Sequence, residues 1–287
     1  MKTAGEKGAL LAFRIVAFSA IASLLLIALF IFKEGLPFIF RYGIRDFLLS
    51  SEWKPQSGKF GIYSMIAASV WVTVGAMLIG APLGIAGAIF LNEFVPPGVK
   101  RIVKPTVELL AAIPSVIYGF IGVQVLAPLI RTHLGGAGLS LLAAAVILGI
   151  MVLPTIISIS SDAIGAVPNS FREGALALGA TRWQSTHMVV LKAARSGIVA
   201  SVILAMGRAI GETMAVIMVA GNTIKMPGGA LDSVRTLTAN IAIEMGSASG
   251  DHRAALFATG VVLFVLIVIL NALAMTAMKR SFARPRK

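Results

Sequence analysis

The sequence contains no cysteine, which excludes disulfides, thiolate nucleophiles and cysteine-ligated metals. Charge is sparse: 13% of residues are Asp, Glu, Lys or Arg, against roughly 25% in soluble domains. Acid is scarcer than base, with 12 carboxylates against 25 Lys and Arg and a formal charge of +13. A surplus of that sign fits either a nucleic-acid surface or topology signals in a membrane chain. The basic residues fall between apolar runs and lack a soluble face with stacking aromatics, so no nucleic acid is expected as a partner. The three histidines, His133, His187 and His252, have no ligand-like spacing and read as ordinary loop residues. No metal and no cofactor is implied.

Signatures of catalysis are missing too. Gly58-Lys59 precedes Phe60 and lacks the upstream glycine of a phosphate-binding loop. Gly246-Ser247-Ala248-Ser249-Gly250 carries alanine where a serine nucleophile would stand, and there is no His-Glu-x-x-His pair. The chain is not expected to be an enzyme or to hydrolyse ATP itself.

What the sequence does have is apolar length. It is 57% hydrophobic with mean hydropathy +0.92, the composition of an integral membrane protein whose spans need about 20 residues each. Ile15–Phe32 is uncharged and reads as a retained first span rather than a cleaved leader, since Lys33-Glu34 follows without a small-x-small site. Lys33–Lys59 is mixed and aromatic, as expected of an outer segment. Gly61–Asn92 is one long uncharged run, expected as a helix bent at Gly80-Ala81-Pro82. Leu109–Ile130, Leu139–Ser161, Val199–Ala220 and Ala255–Met278 are the remaining spans. Pro114, Pro128 and Pro154 within them point to a packed bundle or an aqueous path.

Basic residues set the orientation. Lys2, Lys7, Arg14, Lys100, Arg101, Lys104, Arg172, Arg182, Lys192, Arg195 and the tail from Lys279 to Lys287 outnumber those of the opposite side. Both termini and the polar stretch Pro168–Ile198 are therefore expected in the cytoplasm. Residues 1–60 read as a first helix with its outer segment, 61–280 as a five-helix core and 281–287 as a basic tail.

Pro168–Ile198 interrupts the apolar sequence and is too short to span. Ser170 and Glu173 have capping-box spacing, which predicts a helix from about Phe171 carrying Ala175 and Leu178 to a glycine stop at Gly179. Thr181 with Gln184 repeats the spacing and predicts a second helix through Trp183, Thr186, His187 and Val190 toward Arg195. A helix, a glycine elbow and another helix form a knob that suits a groove on a partner; an amphipathic connector is the plainer alternative.

The fifth span places Arg208 and Glu212 one helical turn apart in an apolar setting. Each charge costs about 2.5 to 3.5 kcal/mol at the bilayer centre, and an i, i+4 pair returns only ~0.2 to 0.5 kcal/mol. They are therefore expected to face the bundle interior or water, either as a packing pair or as part of a path, with Thr213 beside them. An embedded arginine suits an oxyanion, because its planar fork binds two oxygens at once. Downstream, Val234, Leu237, Ile241 and Met245 are expected to line an amphipathic helix on the outer membrane surface.

Phe171, Arg172, Glu173, Gly174, Ala175, Gly179 and Ala180 contain a Glu-x-Ala, three residues, Gly pattern that resembles the EAA motif of type I ABC importer permeases. Gly174 takes the second position, and Val189-Val190-Leu191-Lys192 departs from the family's Ile-x-Leu-Pro ending. Gly207–Asn222 and Ala112-Ile113-Pro114-Ser115-Val116-Ile117-Tyr118-Gly119-Phe120 resemble the PstC subunits of phosphate-specific ABC importers; Met214-Ala215-Val216 departs from the Ala-Pro of PstA subunits. The likeness runs from about Gly61 to Met278. It implies an all-α, six-helix MetI-like permease in a bacterial inner membrane, bound by membrane lipid. Its implied partners are a PstA-like permease subunit, a PstB-like ATPase dimer on the elbows and a PstS-like phosphate-binding protein outside. A PstA-like subunit, a permease for sulfate or molybdate, an ATP-independent transporter and a phosphate-sensing membrane subunit are the alternatives.

Overall fold

The computed structural model describes residues 4–283, with side chains from 11 to 276. Lys2, Arg284, Arg286 and Lys287 of the orientation argument lie outside the described residues. The first helix, α1, runs Ala4–Tyr42, ten residues past the expected end at Phe32. Pro37 does not stop it, and its last turns are buried rather than solvated: Phe38 stacks on Tyr42 and meets Phe47 and Phe60 edge-on. A short helix α2 (Ile44–Leu49) and a two-residue hairpin, β1 (Trp53–Lys54) with β2 (Lys59–Phe60), complete this outer knot.

The long helix expected next is present as α3 (Tyr63–Ile89), extended by a π-helical turn Phe90–Phe94, with Pro82 inside it. An amphipathic helix α4 (Pro97–Ala111) follows. The expected third span, Leu109–Ile130, therefore starts too early, because Leu109 lies in the last turn of α4. Pro114 cannot continue that helix and instead caps a new one. The span proper is α5 (Ser115–Ile121), a π turn Gly122–Leu126 and α6 (Ala127–His133). The next span is α7 (Leu141–Gly165), which starts on the Ser140 hydroxyl, acceptor of the Ala143 N–H at 3.2 Å.

Helices α3 and α7 form the central seam. A Cβ on Gly80 would lie 2.6 Å from Val152 Cγ2 and 2.8 Å from the Gly149 carbonyl, so the two backbones meet only because glycine stands there. Val72, Ala76, Ile147, Leu148 and Met151 are buried in this layer.

Beyond α7 come α8 (Asn169–Ala177), α9 (Arg182–Ser185), a π turn Thr186–Val190 and α10 (Leu191–Ala193). The chain then turns by 71° at Ala194 into α11 (Arg195–Gly211). Helix α12 (Met214–Val219) follows a two-residue break. Among the described residues, five helices are long and apolar enough to cross a membrane, and six if the bent pair ending in α11 is one span. The expected fifth span, Val199–Ala220, is thus not one helix.

The outer loop carries α13 (Leu237–Glu244), and the chain ends in α14 (Gly250–Ala283), which lies along α1 through Phe30–Phe257 and Phe32–Phe264 ring contacts. Helix α13 does not float on a membrane surface. Val234 and Leu237 are fully buried, because Leu237 enters the outer knot with Trp53, Phe60 and Leu256. Its end is tied by Glu244, which accepts from Arg235 Nη1 at 2.6 Å and Trp53 Nε1 at 2.8 Å and lies 2.8 Å from His252 Nε2.

Candidate functional site

Two regions gather the residues singled out from the sequence, and α11 joins them. At the elbow, α8 begins at Asn169, two residues before the expected start. Its cap position is Pro168 (φ −56, ψ 141), and no side chain caps it. The Ser170–Glu173 capping box is therefore absent. Pro168 supplies the extended entry geometry, which leaves Ser170 inside the first turn instead of ahead of it.

The stop and restart stand as expected. Gly179 has φ +83, a left-handed conformation that side chains resist. Its N–H donates to the Leu176 carbonyl at 2.9 Å, and the Ala180 N–H donates to the Ala175 carbonyl at 3.1 Å. Thr181 Oγ1 then accepts from the Gln184 N–H at 3.2 Å, while Gln184 Oε1 accepts from the Thr181 N–H at 2.8 Å. That reciprocal pair is a complete capping box. A π turn instead of a regular helix carries Thr186, His187 and Val190.

The elbow presents apolar side chains to the outside. Phe171, Leu176 and Trp183 are exposed, and Leu178 is 91% exposed. Glu173 and Gly174 are exposed beside them, and Ala175 is half-buried. Open space surrounds Gly174 and Gly179, with nothing within 4 Å of a built Cβ. Arg172 turns the other way. Its Nε and Nη2 donate to Glu93 Oε1 at 3.1 and 2.7 Å, its Nη1 to the Val167 carbonyl at 2.8 Å and its Nη2 to the Ile164 carbonyl at 3.0 Å. One guanidinium thus closes the end of α7 and fastens the elbow to the end of α3. Glu93 was missed as a site residue; the signal available was a lone carboxylate closing a long uncharged run.

The same end of the bundle is tied elsewhere by Lys104, whose ammonium bonds Asp162. That hydrogen bond, with the carboxylate's charge, holds the Lys104 pKa above the ordinary lysine value. Under the elbow, Ala88, Ile164, Val167, Val190, Ala194 and Ile198 form a buried apolar cluster.

In the membrane region the sequence-based geometry needs correction. Arg208 and Glu212 do not share a helix, since α11 ends at Gly211 and Glu212 is extended (φ −68, ψ 129). No ion pair joins them among the described residues. Glu212 serves the backbone instead: its Oε1 accepts from the Ala215 N–H at 3.2 Å, capping α12, and its carbonyl accepts from Thr238 Oγ1 at 3.0 Å. Thr213 Oγ1 bonds the Gly211 carbonyl at 3.2 Å, inside the break. Arg208 is exposed on this chain, and Glu212 and Thr213 are half-buried. Sequence reasoning also missed Asn271 on α14, whose amide nitrogen lies 3.8 Å from where a Gly207 Cβ would be, one residue before Arg208. Its Oδ1 is buried without a partner among the described residues.

The family described as the binding-protein-dependent transport system inner membrane component matches residues 80–284. A Bacillus subtilis protein named probable ABC transporter permease protein YqgH is 44% identical over 253 residues, covering 86% of this chain and 82% of its own length. A Mesorhizobium japonicum protein named phosphate transport system permease protein PstC is 40% identical over 260 residues, covering 83% and 80%. Among solved structures, a bacterial ABC transporter involved in import of the acidic polysaccharide alginate aligns over 94% of this chain and 98% of its own, with TM-score 0.62 and 18% identity. The fold is that of a type I ABC importer permease.

Proposed function

The chain belongs to the family of inner membrane components of binding-protein-dependent transport systems, and from that premise we propose that it is the PstC-type half of an ATP-driven phosphate importer. The observation that carries the substrate is the 40% identity, over most of both chains, to a protein named for phosphate transport. Residues 61–280 are the permease core, and both termini and the elbow face the cytoplasm. ATP hydrolysis resides in a separate PstB-like dimer whose grooves receive the Phe171–Ala180 knob. A PstA-like subunit completes the path, and a PstS-like protein delivers phosphate from outside.

In this reading Leu178, Phe171 and Trp183 are the apolar surface buried against the ATPase, and Arg172 keeps the knob rigid from behind. ATP-driven closure moves the elbow, and the motion enters α11 through the turn at Ala194. Arg208, near the far end of α11, offers phosphate a transient cation. Glu212 acts by fixing the helix break that follows, not by pairing with Arg208, and Thr213 stands in that break with its hydroxyl on the Gly211 carbonyl.

The test is ATP-dependent phosphate uptake into proteoliposomes containing the full complex, comparing wild type with Arg208→Gln. Assembled variant complex with uptake reduced at least about tenfold is the expected result. Equal uptake would remove Arg208 from the path and leave the phosphate assignment resting on relatedness alone.

A further inference from the structure

Behind the elbow lies a polar cleft of about 400 Å³, lined by Asn92 and Glu93 at the end of α3, Lys100 on α4, Asn169 and Arg172 on α8, and Arg182 and Ser185 on α9. It is separate from the Arg208 region, and of the exposed apolar side chains of the elbow only Leu176 lines it. Its chemistry is lopsided. Three cations face one carboxylate, and that carboxylate is already taken, because Glu93 is bonded by Arg172. Arg172 spends two of its three remaining donors on the Val167 and Ile164 carbonyls. Lys100 and Arg182 are left as the uncompensated charges.

Lys100 is held in place: its ammonium donates to Asn92 Oδ1 at 2.5 Å, and Asn92 is fixed in turn by its amide donating to Ser161 Oγ at 2.6 Å. One donor is used and two remain. Arg182 makes no ion pair among the described residues. The nine-residue helix α8 opens at Asn169 with no side-chain cap and no acidic residue in its first turn. Its first N–H groups therefore lack the carboxylate that usually sits there.

An independent feature points to a ligand. Ser185 is 4% exposed, lines the cleft, and its Oγ has no hydrogen-bond partner. Its neighbour Thr186 shows the usual way out, donating back to the Arg182 carbonyl at 2.9 Å. Ser185 does not do this, and a buried hydroxyl left without a partner costs about 1 to 3 kcal/mol unless something accepts or donates there.

We propose that this cleft is a cytoplasmic binding site for a phosphate group, held by Lys100 and Arg182, with the Ser185 hydroxyl and the α8 N-terminus as neutral donors. The same chemistry is offered by free inorganic phosphate and by the headgroup of an anionic lipid. Either occupant bridges α4 to the elbow and so restrains it. The site goes beyond the transport reading and does not depend on it, since it lies on the opposite end of α11 from Arg208.

The test uses the full-length chain in nanodiscs. In nanodiscs of phosphatidylcholine alone, inorganic phosphate is titrated calorimetrically at constant ionic strength. In nanodiscs containing phosphatidylglycerol, lipid retained by the chain is counted by native mass spectrometry. Both are repeated with Lys100→Gln/Arg182→Gln, with Ser185→Ala and with Arg208→Gln. The double variant is also made in the Arg208→Gln background; Arg182 and Arg208 are exposed, Lys100 is half-buried and Ser185→Ala removes one oxygen, and circular dichroism checks that each folds.

Saturable phosphate binding that persists in the Arg208→Gln background, and weakens about tenfold or more when Lys100→Gln/Arg182→Gln is added to it, identifies free phosphate as occupant. Absence of phosphate binding together with phosphatidylglycerol retention that the double variant loses identifies a lipid headgroup. Neither ligand binding, or binding that only Arg208→Gln removes, overturns the site. That last result would leave the transport reading standing.

Discussion

Replacing Arg172 by alanine should loosen the elbow without unfolding the chain. The side chains of Arg172 and Glu93 are 21% and 11% exposed, so the pair is mostly but not wholly withdrawn from water. Breaking a fully buried pair costs about 3 to 5 kcal/mol, and water reaching the open cleft takes the value to the lower end. The Ile164 and Val167 carbonyls also lose their donor, but water can replace it in the same cleft. The net expectation is about 2 to 3 kcal/mol off the attachment of α8, or a rise of roughly 30- to 140-fold in the fraction locally open. Hydrogen exchange over peptides spanning 164–180 reads this directly, with peptides from α3 and α14 as internal controls. Arg172→Lys should recover part of the protection, since an ammonium can meet Glu93 but not both carbonyls with one planar fork. Unchanged exchange in Arg172→Ala would refute the idea that this guanidinium fastens the elbow.

Three further outcomes follow from the same geometry. Gly179→Ala should cost about 1 to 2 kcal/mol in the elbow, because φ +83 is strained for alanine although space is open, while Gly179→Asn should be milder; coupled ATPase activity and local exchange report both. Thr181→Ala removes the cap on α9 and should cost about 1 kcal/mol, seen as faster exchange at the Gln184 and Ser185 amides and not at α8. Glu212→Gln keeps an oxygen for the Ala215 N–H and should preserve uptake, whereas Glu212→Ala should lose the cap, about 0.5 to 2 kcal/mol, and reduce uptake. Uptake lost equally in both would mean that the charge of Glu212, not its hydrogen bond, is what matters.

How far the sequence could be read depended on whether a feature was local. Gly179 and the Thr181–Gln184 box were legible because a left-handed stop and a reciprocal cap are decided within four residues. The Ser170–Glu173 box has the same spacing and failed, because Pro168 sets the entry to α8 two residues earlier. Apolar runs located the spans but not their ends: Phe38 and Tyr42 keep α1 helical by packing on Phe47 and Phe60, which lie beyond the end of that helix. The break at Glu212 was hidden for a related reason. An Arg and a Glu four apart read as a helical pair, and only the Thr238 hydroxyl on the Glu212 carbonyl, from the outer loop, discloses that the backbone leaves the helix there. Arg172–Glu93 joins residues far apart in the chain and had no local signature beyond each charge standing next to an apolar run.

The position of α11 explains why these separate features belong to one device. Its 17 residues make a rod of about 25 Å at 1.5 Å per residue. One end begins at the 71° turn beside the elbow, and the other stops at the Glu212–Thr213 break. Its sides are packed rather than free: Ser201 Oγ lies 2.7 Å from Ser160 Oγ on α7, and Ala205 and Ala209 are buried against Val152 and Ile156. A rod gripped in this way moves with α7 as a body, since close-packed interiors transmit displacement instead of absorbing it. In the transport reading proposed above, displacement at the elbow is taken up by the two non-helical residues at the far end, Glu212 and Thr213. A break there has a mechanical reason independent of substrate. Arg208 lies one turn before that break, beside the two residues that join the rod to α12.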